Sequence, residues 1–308
     1  MSDQNPSPVV VAVGHDEGDA ALEYAAAEAA RLACGLHVVQ FVRAVPHGPD
    51  MVLVDVADAG RVGRQSLEAA LGRARALIGD EATLTGELVL GGVVPALVRA
   101  ARDARLVVLQ HRSLTGMRRV VTRSLTSGVA AHAPVPVVTV PELWSADRDR
   151  DTSPIVTVGL DVAPRAEEVL HAAANAARAR GATLHVLHAW TFGNAPGDLV
   201  MTRLDNEPWT SRVPGEIQAV LDRLGEVVTG VPVRIVTRRM KPADALIEAS
   251  QRCHLVVIGR PNPTTPVASH LGPVARAVLA EAACPVLLAN PRSGELLRRP
   301  QRVSATAH

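Results

Sequence analysis

The chain repeats itself at a spacing of about 150 residues, and no other feature constrains its fold as strongly. Val10-Val-Ala-Val-Gly14 opens one copy and Ile155-Val-Thr-Val-Gly-Leu-Asp161 opens the other. Each is a short apolar run that ends in a turn. Alanine-rich helical stretches follow and match almost residue for residue, Tyr24-Ala-Ala-Ala-Glu-Ala-Ala-Arg31 against His171-Ala-Ala-Ala-Asn-Ala-Ala-Arg178. Leu36–Phe41 then pairs with Leu184–Ala189, Leu97–Leu109 with Leu246–Ile258, and Ala133–Val140 with Ala283–Leu288. The offset is 147 from Tyr24 to His171 and 149 from Leu97 to Leu246, so the copies hardly drift. This is a duplication.

Within each copy, continuous apolar runs alternate with helical patterns of about 10 to 15 residues, the order of βαβ units around a parallel sheet covered on both faces. The expected organisation is α/β, with two tandem open parallel-sheet, Rossmann-like domains. Their expected limits are 1–143 and 154–291, with a charged, proline-ended linker over 144–153 and a disordered tail over 292–308. Pro46 to Gly63 and Gly193 to Pro214 read as long connections at equivalent places, the second with Trp190 and Trp209 near its ends. The terminal apolar runs, Pro136–Val140 and Pro285–Leu288, would be exposed sheet edges if each half stood alone.

Apolar residues make up 47% of the chain and charged residues 20%, enough to bury a core. Lys+Arg 32 against Asp+Glu 31 leaves a formal charge of +1, with no global pull toward nucleic acid or an acidic membrane. Lys241 is the sole lysine, so an arginine cluster carries less functional weight here than elsewhere. The longest apolar run, Leu88 to Val98, holds two glycines and a proline and falls short of the ~18 residues a membrane span needs. Cys34, Cys253 and Cys284 have neither metal spacing nor the pattern of a disulfide framework, and a cytoplasmic location is expected. Cys253 and Cys284 read as small apolar residues near the sheet.

Ligands of an open parallel sheet bind outside the carboxyl ends of the strands, beside the switch in strand order. The residues that follow Val13, Val158, Leu109 and Ile258 are therefore the ones to inspect. These segments, each leading through a loop and a helix to a Pro-rich final strand, resemble the universal stress protein family across nearly all of both copies. The resemblance implies an adenine nucleotide alpha hydrolase-like fold and a pseudo-dimer in which the terminal strands meet. It also implies a Gly-x2-Gly-x9-Gly-(Ser/Thr) loop for ATP phosphates and a strand-end Asp for ribose. Glycines let backbone N–H groups approach a phosphate, and the helix N-terminus adds its positive end.

In the second copy these positions are Gly259, Asn262, Gly272 and Pro273, with Asp161 at the strand end. Asn tolerates the left-handed backbone a glycine would adopt. Pro273 removes one N–H, and Pro261, Pro263 and Pro266 remove more, so weak or absent ATP binding is expected there. In the first copy the positions are Gln110, Ser113, Arg123 and Ser124, with Gly14 where the Asp belongs. That site reads as degenerate, with Ser124, Arg112 and Arg123 as its remnants. Arg112, Arg118, Arg119 and Arg123 read either as an anion site rebuilt from side chains or as a solvated helix start, and both readings stand.

No P-loop and no Gly-x-Ser-x-Gly nucleophile motif occurs. His185 and His188, three apart on a strand, point to opposite faces and make no metal pair. His15, His111 and His254 read as polar surface residues near strand ends or turns. No nucleophile, acid–base pair or metal cluster stands out, so no enzyme is expected. The expected function is a non-catalytic stress-response regulator that binds adenine nucleotide in the second copy. The alternative is a protein interaction module of the same fold without nucleotide. Protein partners stay unidentified, a further homodimer stays open, and neither nucleic acid nor membrane is an expected partner.

Overall fold

The structure, a computed structural model, describes residues 7–14, 19–42, 56–111, 118–146, 153–161, 166–191, 206–260, 271–290 and 296–298. The β-branched runs become short buried strands and the alanine-rich segments become the helices that cover them. The first half contributes β1 (Val9–Gly14), α1 (Ala20–Leu32), β2 (Leu36–Val42), α2 (Val56–Ile78), β3 (Leu84–Leu90), α3 (Val93–Ala100), β4 (Leu106–His111), α4 (Arg118–His132) and β5 (Val137–Pro141). The second half follows with β6 (Ile155–Gly159), α5 (Ala166–Arg180), β7 (Thr183–Ala189), α6 (Asn206–Leu224), β8 (Val233–Arg238), α7 (Pro242–Ser250), β9 (Leu255–Gly259), α8 (Pro273–Glu281) and β10 (Val286–Ala289).

All ten strands form one sheet in the order β3-β2-β1-β4-β5-β10-β9-β6-β7-β8. Pairing is parallel within each half, while β5 and β10 meet antiparallel, with Val286 opposite Thr139, Leu287 opposite Val138 and Leu288 opposite Val137. The terminal strands thus close each other's edge, and the expected pseudo-dimer is one continuous sheet. Helices α1, α2, α5 and α6 share one apolar layer with Val9, Val11, Val156 and Val158. Helices α3, α4, α7 and α8 share the other with Val10, Val107, Val256 and Leu288. Both layers run through both halves. No described helix is long and apolar enough to cross a membrane.

One buried ion pair crosses the seam. Arg180 on α5 reaches Glu28 on α1 and donates to the Tyr24 hydroxyl at 2.9 Å, while Arg31 donates to the same Glu28 oxygen at 2.6 Å. The Tyr24 ring meets Trp144 edge-on at 5.3 Å. Burial, reinforced by the Glu28 carboxylate, raises the pKa of Tyr24 far above that of an ordinary phenol. The repeat breaks here, because Asn175 stands where the first copy has Glu28.

Three expectations change. Both long connections are helical at their ends, since α2 begins at Val56 and α6 at Asn206, with Pro214 inside α6. Ile217, Val220 and Leu221 bury the inner face of α6, and that burial outweighs the cost of the proline. Leu296–Arg298, expected to trail off, lies against the fold: Leu297 is buried, and Arg105 donates to the carbonyls of Leu296 and Arg298. His254 is buried rather than a surface group, and its Nδ1 accepts the Ile155 N–H at 3.1 Å.

Candidate functional site

β6 ends at Gly159 and β9 at Gly259, side by side where the strand order switches. Between these ends, α5, α7 and the start of α8 lies a cavity of about 500 Å³. Asp161, Gly259 and Gly272 all line it, so the fold brings together three residues spread over more than a hundred positions. Asn262 lies outside the described residues. The walls are mostly apolar, from Val169, Leu187, Leu246 and Ile258, while Asp161 is solvent-exposed at one side. At the other side, Gly272 caps α8 and the backbone of Val274 and Ala275 forms the first turn.

The two glycines have different physical reasons. A Cβ on Gly259 would come within 2.9 Å of the Val169 methyl, so close packing of α5 against the strand end requires it. Among the described residues, a Cβ on Gly272 would meet nothing within 4 Å, and its φ of −59° suits any residue. No packing among the described residues explains Gly272, which lines the cavity.

Two residues to which the sequence assigned no role here support this cavity. Arg260 runs along its wall, and its guanidinium crosses to the first half, where Nη1 donates to the carbonyls of Ala130 and, at 2.8 Å, Ala133. It thereby caps the C-terminal end of α4, the negative end of that helix. Burial lowers the pKa of its guanidinium. His188 on β7 hydrogen-bonds the Leu160 carbonyl at 3.0 Å and stacks on Trp190, which fixes the turn that carries Asp161. His185, on the opposite face of β7, lines a separate cavity.

The first half is built differently at the equivalent place. Gln110, at the first glycine position, is buried near the end of β4, and Gly14 ends β1. α4 starts at Arg118, whereas α8 starts at Pro273, the counterpart of Ser124. Arg123 and Ser124 therefore sit inside a helix, where backbone N–H groups bond to carbonyls one turn back instead of facing a ligand. Arg112 and Ser113 lie outside the described residues.

The family model of the universal stress proteins matches residues 6–141 and again residues 154–290. The chain belongs to the universal stress protein family. It is 29% identical over 290 residues to a Mycobacterium tuberculosis universal stress protein, covering 91% of this chain and 96% of the relative. A second M. tuberculosis universal stress protein is 30% identical over 239 residues, covering 76% of this chain and 73% of its own. Among solved structures, a universal stress protein from Archaeoglobus fulgidus superposes with a TM-score of 0.65 at 16% identity, covering 92% of this chain and 96% of that one. A Pseudomonas aeruginosa structure described as a putative universal stress protein gives 0.59 at 17% identity, over 96% and 97% of the two chains. These similarities fix the fold, two universal stress protein units in tandem.

Proposed function

We propose that this universal stress protein is a non-catalytic stress-response regulator that binds one adenine nucleotide, in the cavity of its second half. The observation that carries the reading is Gly272, a glycine that neither its backbone nor its packing among the described residues requires, at the start of a helix that opens into a cavity also lined by Asp161. The apolar walls suit a planar base, the exposed carboxylate can accept hydrogen bonds from ribose hydroxyls, and the first turn of α8 offers N–H groups and a positive helix end to phosphate. Pro273 removes one of those donors, so binding is weak, on the order of micromolar to millimolar. The reading leaves the first half empty, because Arg123 and Ser124 lie within α4.

Calorimetric titration with ATP tests the assignment. One site per chain is expected. Asp161→Ala should remove most of the binding and Ser124→Ala should leave it nearly intact. Two equal sites, or the reverse ranking of the variants, would overturn the assignment. No binding at millimolar ATP would leave the interaction-module reading in its place.

A further inference from the structure

Cys253 and Cys284 are 31 positions apart in sequence, yet their sulfurs lie 3.7 Å apart in the second half. The topology puts them there. β9 and β10 are parallel neighbours with Val256 opposite Val286, and each cysteine sits just before its strand. The backbones on both sides are tied together. Ser250 accepts the Ala283 N–H at 2.9 Å and donates to Ile247 at 2.6 Å, and the Val256 N–H reaches the Pro285 carbonyl at 3.0 Å. Both residues are buried and both are thiols. Cys253 also lines a cavity of about 340 Å³, together with Arg234, Arg238 and Arg252, which brings a small oxidant as far as this residue.

We propose that Cys253 and Cys284 form an oxidisable dithiol, a modification site at which hydrogen peroxide converts two thiols to a reversible intrachain disulfide. The Cys253 sulfur, as thiolate, attacks one peroxide oxygen. The O–O bond breaks, the other oxygen leaves as hydroxide and takes up the Cys253 proton as water, and Cys253 becomes a sulfenic acid. The Cys284 sulfur then attacks the Cys253 sulfur. The S–S bond forms, the S–O bond breaks, and hydroxide leaves with the Cys284 proton as a second water. The two sulfurs together lose two electrons and the peroxide gains them. Hydrogen bonds from Cys284 and Thr157 draw the pKa of Cys253 below the usual thiol range, although its burial opposes this. Cys34 in the first half is the contrast, since burial raises its pKa.

Closing the sulfurs to the ~2.05 Å of a disulfide needs a small approach, within reach of side-chain rotation and slight strand adjustment. The bond would close a ring from 253 to 284 that contains β9, α8 and the stretch between them. It would constrain the unfolded chain and raise the denaturation midpoint of the oxidised form. The proposal does not depend on nucleotide binding.

The full chain, treated with hydrogen peroxide, quenched and then alkylated in denaturant, tests it. The oxidised protein should be lighter by two hydrogen atoms before alkylation, and Cys34 alone should be alkylated. Peptide mapping should find Cys253 linked to Cys284, and dithiothreitol should restore all three thiols. Cys253→Ser and Cys284→Ser should each abolish the two-hydrogen loss, while Cys34→Ser should keep it. Mapping of the unmutated chain gives the answer even where a serine variant fails to fold. Three alkylatable thiols after peroxide, an interchain link through Cys34, or Cys253 driven to sulfinic acid without a link would each overturn the proposal.

Discussion

Replacing Arg180 with Ala removes a guanidinium that crosses the seam from α5 to α1. The Arg180 and Glu28 side chains are only 9% and 4% exposed, so the carboxylate loses a partner it cannot replace with water. Breaking a buried pair from one side typically costs about 3–5 kcal/mol. Arg31 stays at 2.6 Å and is itself 34% exposed, which places the expected loss near the lower end, about 3 kcal/mol. The Tyr24 hydroxyl loses a hydrogen bond in the same step. At roughly 2 °C per kcal/mol for a large domain, the thermal midpoint should fall by about 6 °C. Urea denaturation of wild type, Arg180→Ala, Glu28→Leu and the double variant Glu28→Leu/Arg180→Met gives the decisive comparison. Each single change should be costly, and the double should return to within ~1 kcal/mol of wild type, because an apolar pair of similar volume has no charge to desolvate. An Arg180→Ala variant as stable as wild type, or a double variant that loses the sum of the singles, would refute this account of the seam.

Gly259→Ala forces a methyl to 2.9 Å from Val169 and should cost about 1–3 kcal/mol by urea denaturation, whereas Gly272→Ala should leave stability within ~0.5 kcal/mol and weaken ATP binding in titration. Ala33 holds a left-handed φ of 50° at the end of α1, where the second copy uses Gly181 at φ 60°, so Ala33→Gly should stabilise the chain by about 1 kcal/mol, read as a rise in urea midpoint. Burial pushes the pKa values of His37, His171 and His185 below 6.5, assisted at His171 by Arg298 and at His185 by Arg234. The unfolded chain therefore binds protons first as pH falls, so stability present above pH 6.5 should decline below it, and a triple His→Gln variant should show a flatter urea midpoint between pH 7.5 and pH 5.5.

The sheet was legible because it depends on local pattern, and its joint because the family resemblance implies that the terminal strands meet. β-branched runs at a repeated spacing specify parallel strands, and the apolar runs at Val137–Val140 and Val286–Leu288 have to be covered by something. Gly259 and Gly272 were legible together because the spacing implied by the family resemblance links them, and Asp161 because the same resemblance puts a carboxylate at the strand end. Other features depend on distances that sequence does not display. Arg260 looks like one more arginine in an arginine-biased chain, and only the docking of the halves places it on the end of α4. Glu28 differs from Asn175 by a single substitution in an otherwise matching repeat, and its partner lies 152 positions away. The early start of α4 was not legible either, because Arg118 and Arg119 belong to a cluster that reads as an anion site or as a solvated helix start. The two cysteines looked unrelated until parallel pairing of β9 and β10 brought their strand starts together.

The most direct test of the central claim is a crystal structure of the chain soaked with ATP. The account predicts density for one nucleotide per chain, with the phosphates at the first turn of α8, the ribose at Asp161 and the base against Val169 and Leu246. A nucleotide bound in the first half beside Gly14 and Gln110, or two equally occupied sites, would contradict it.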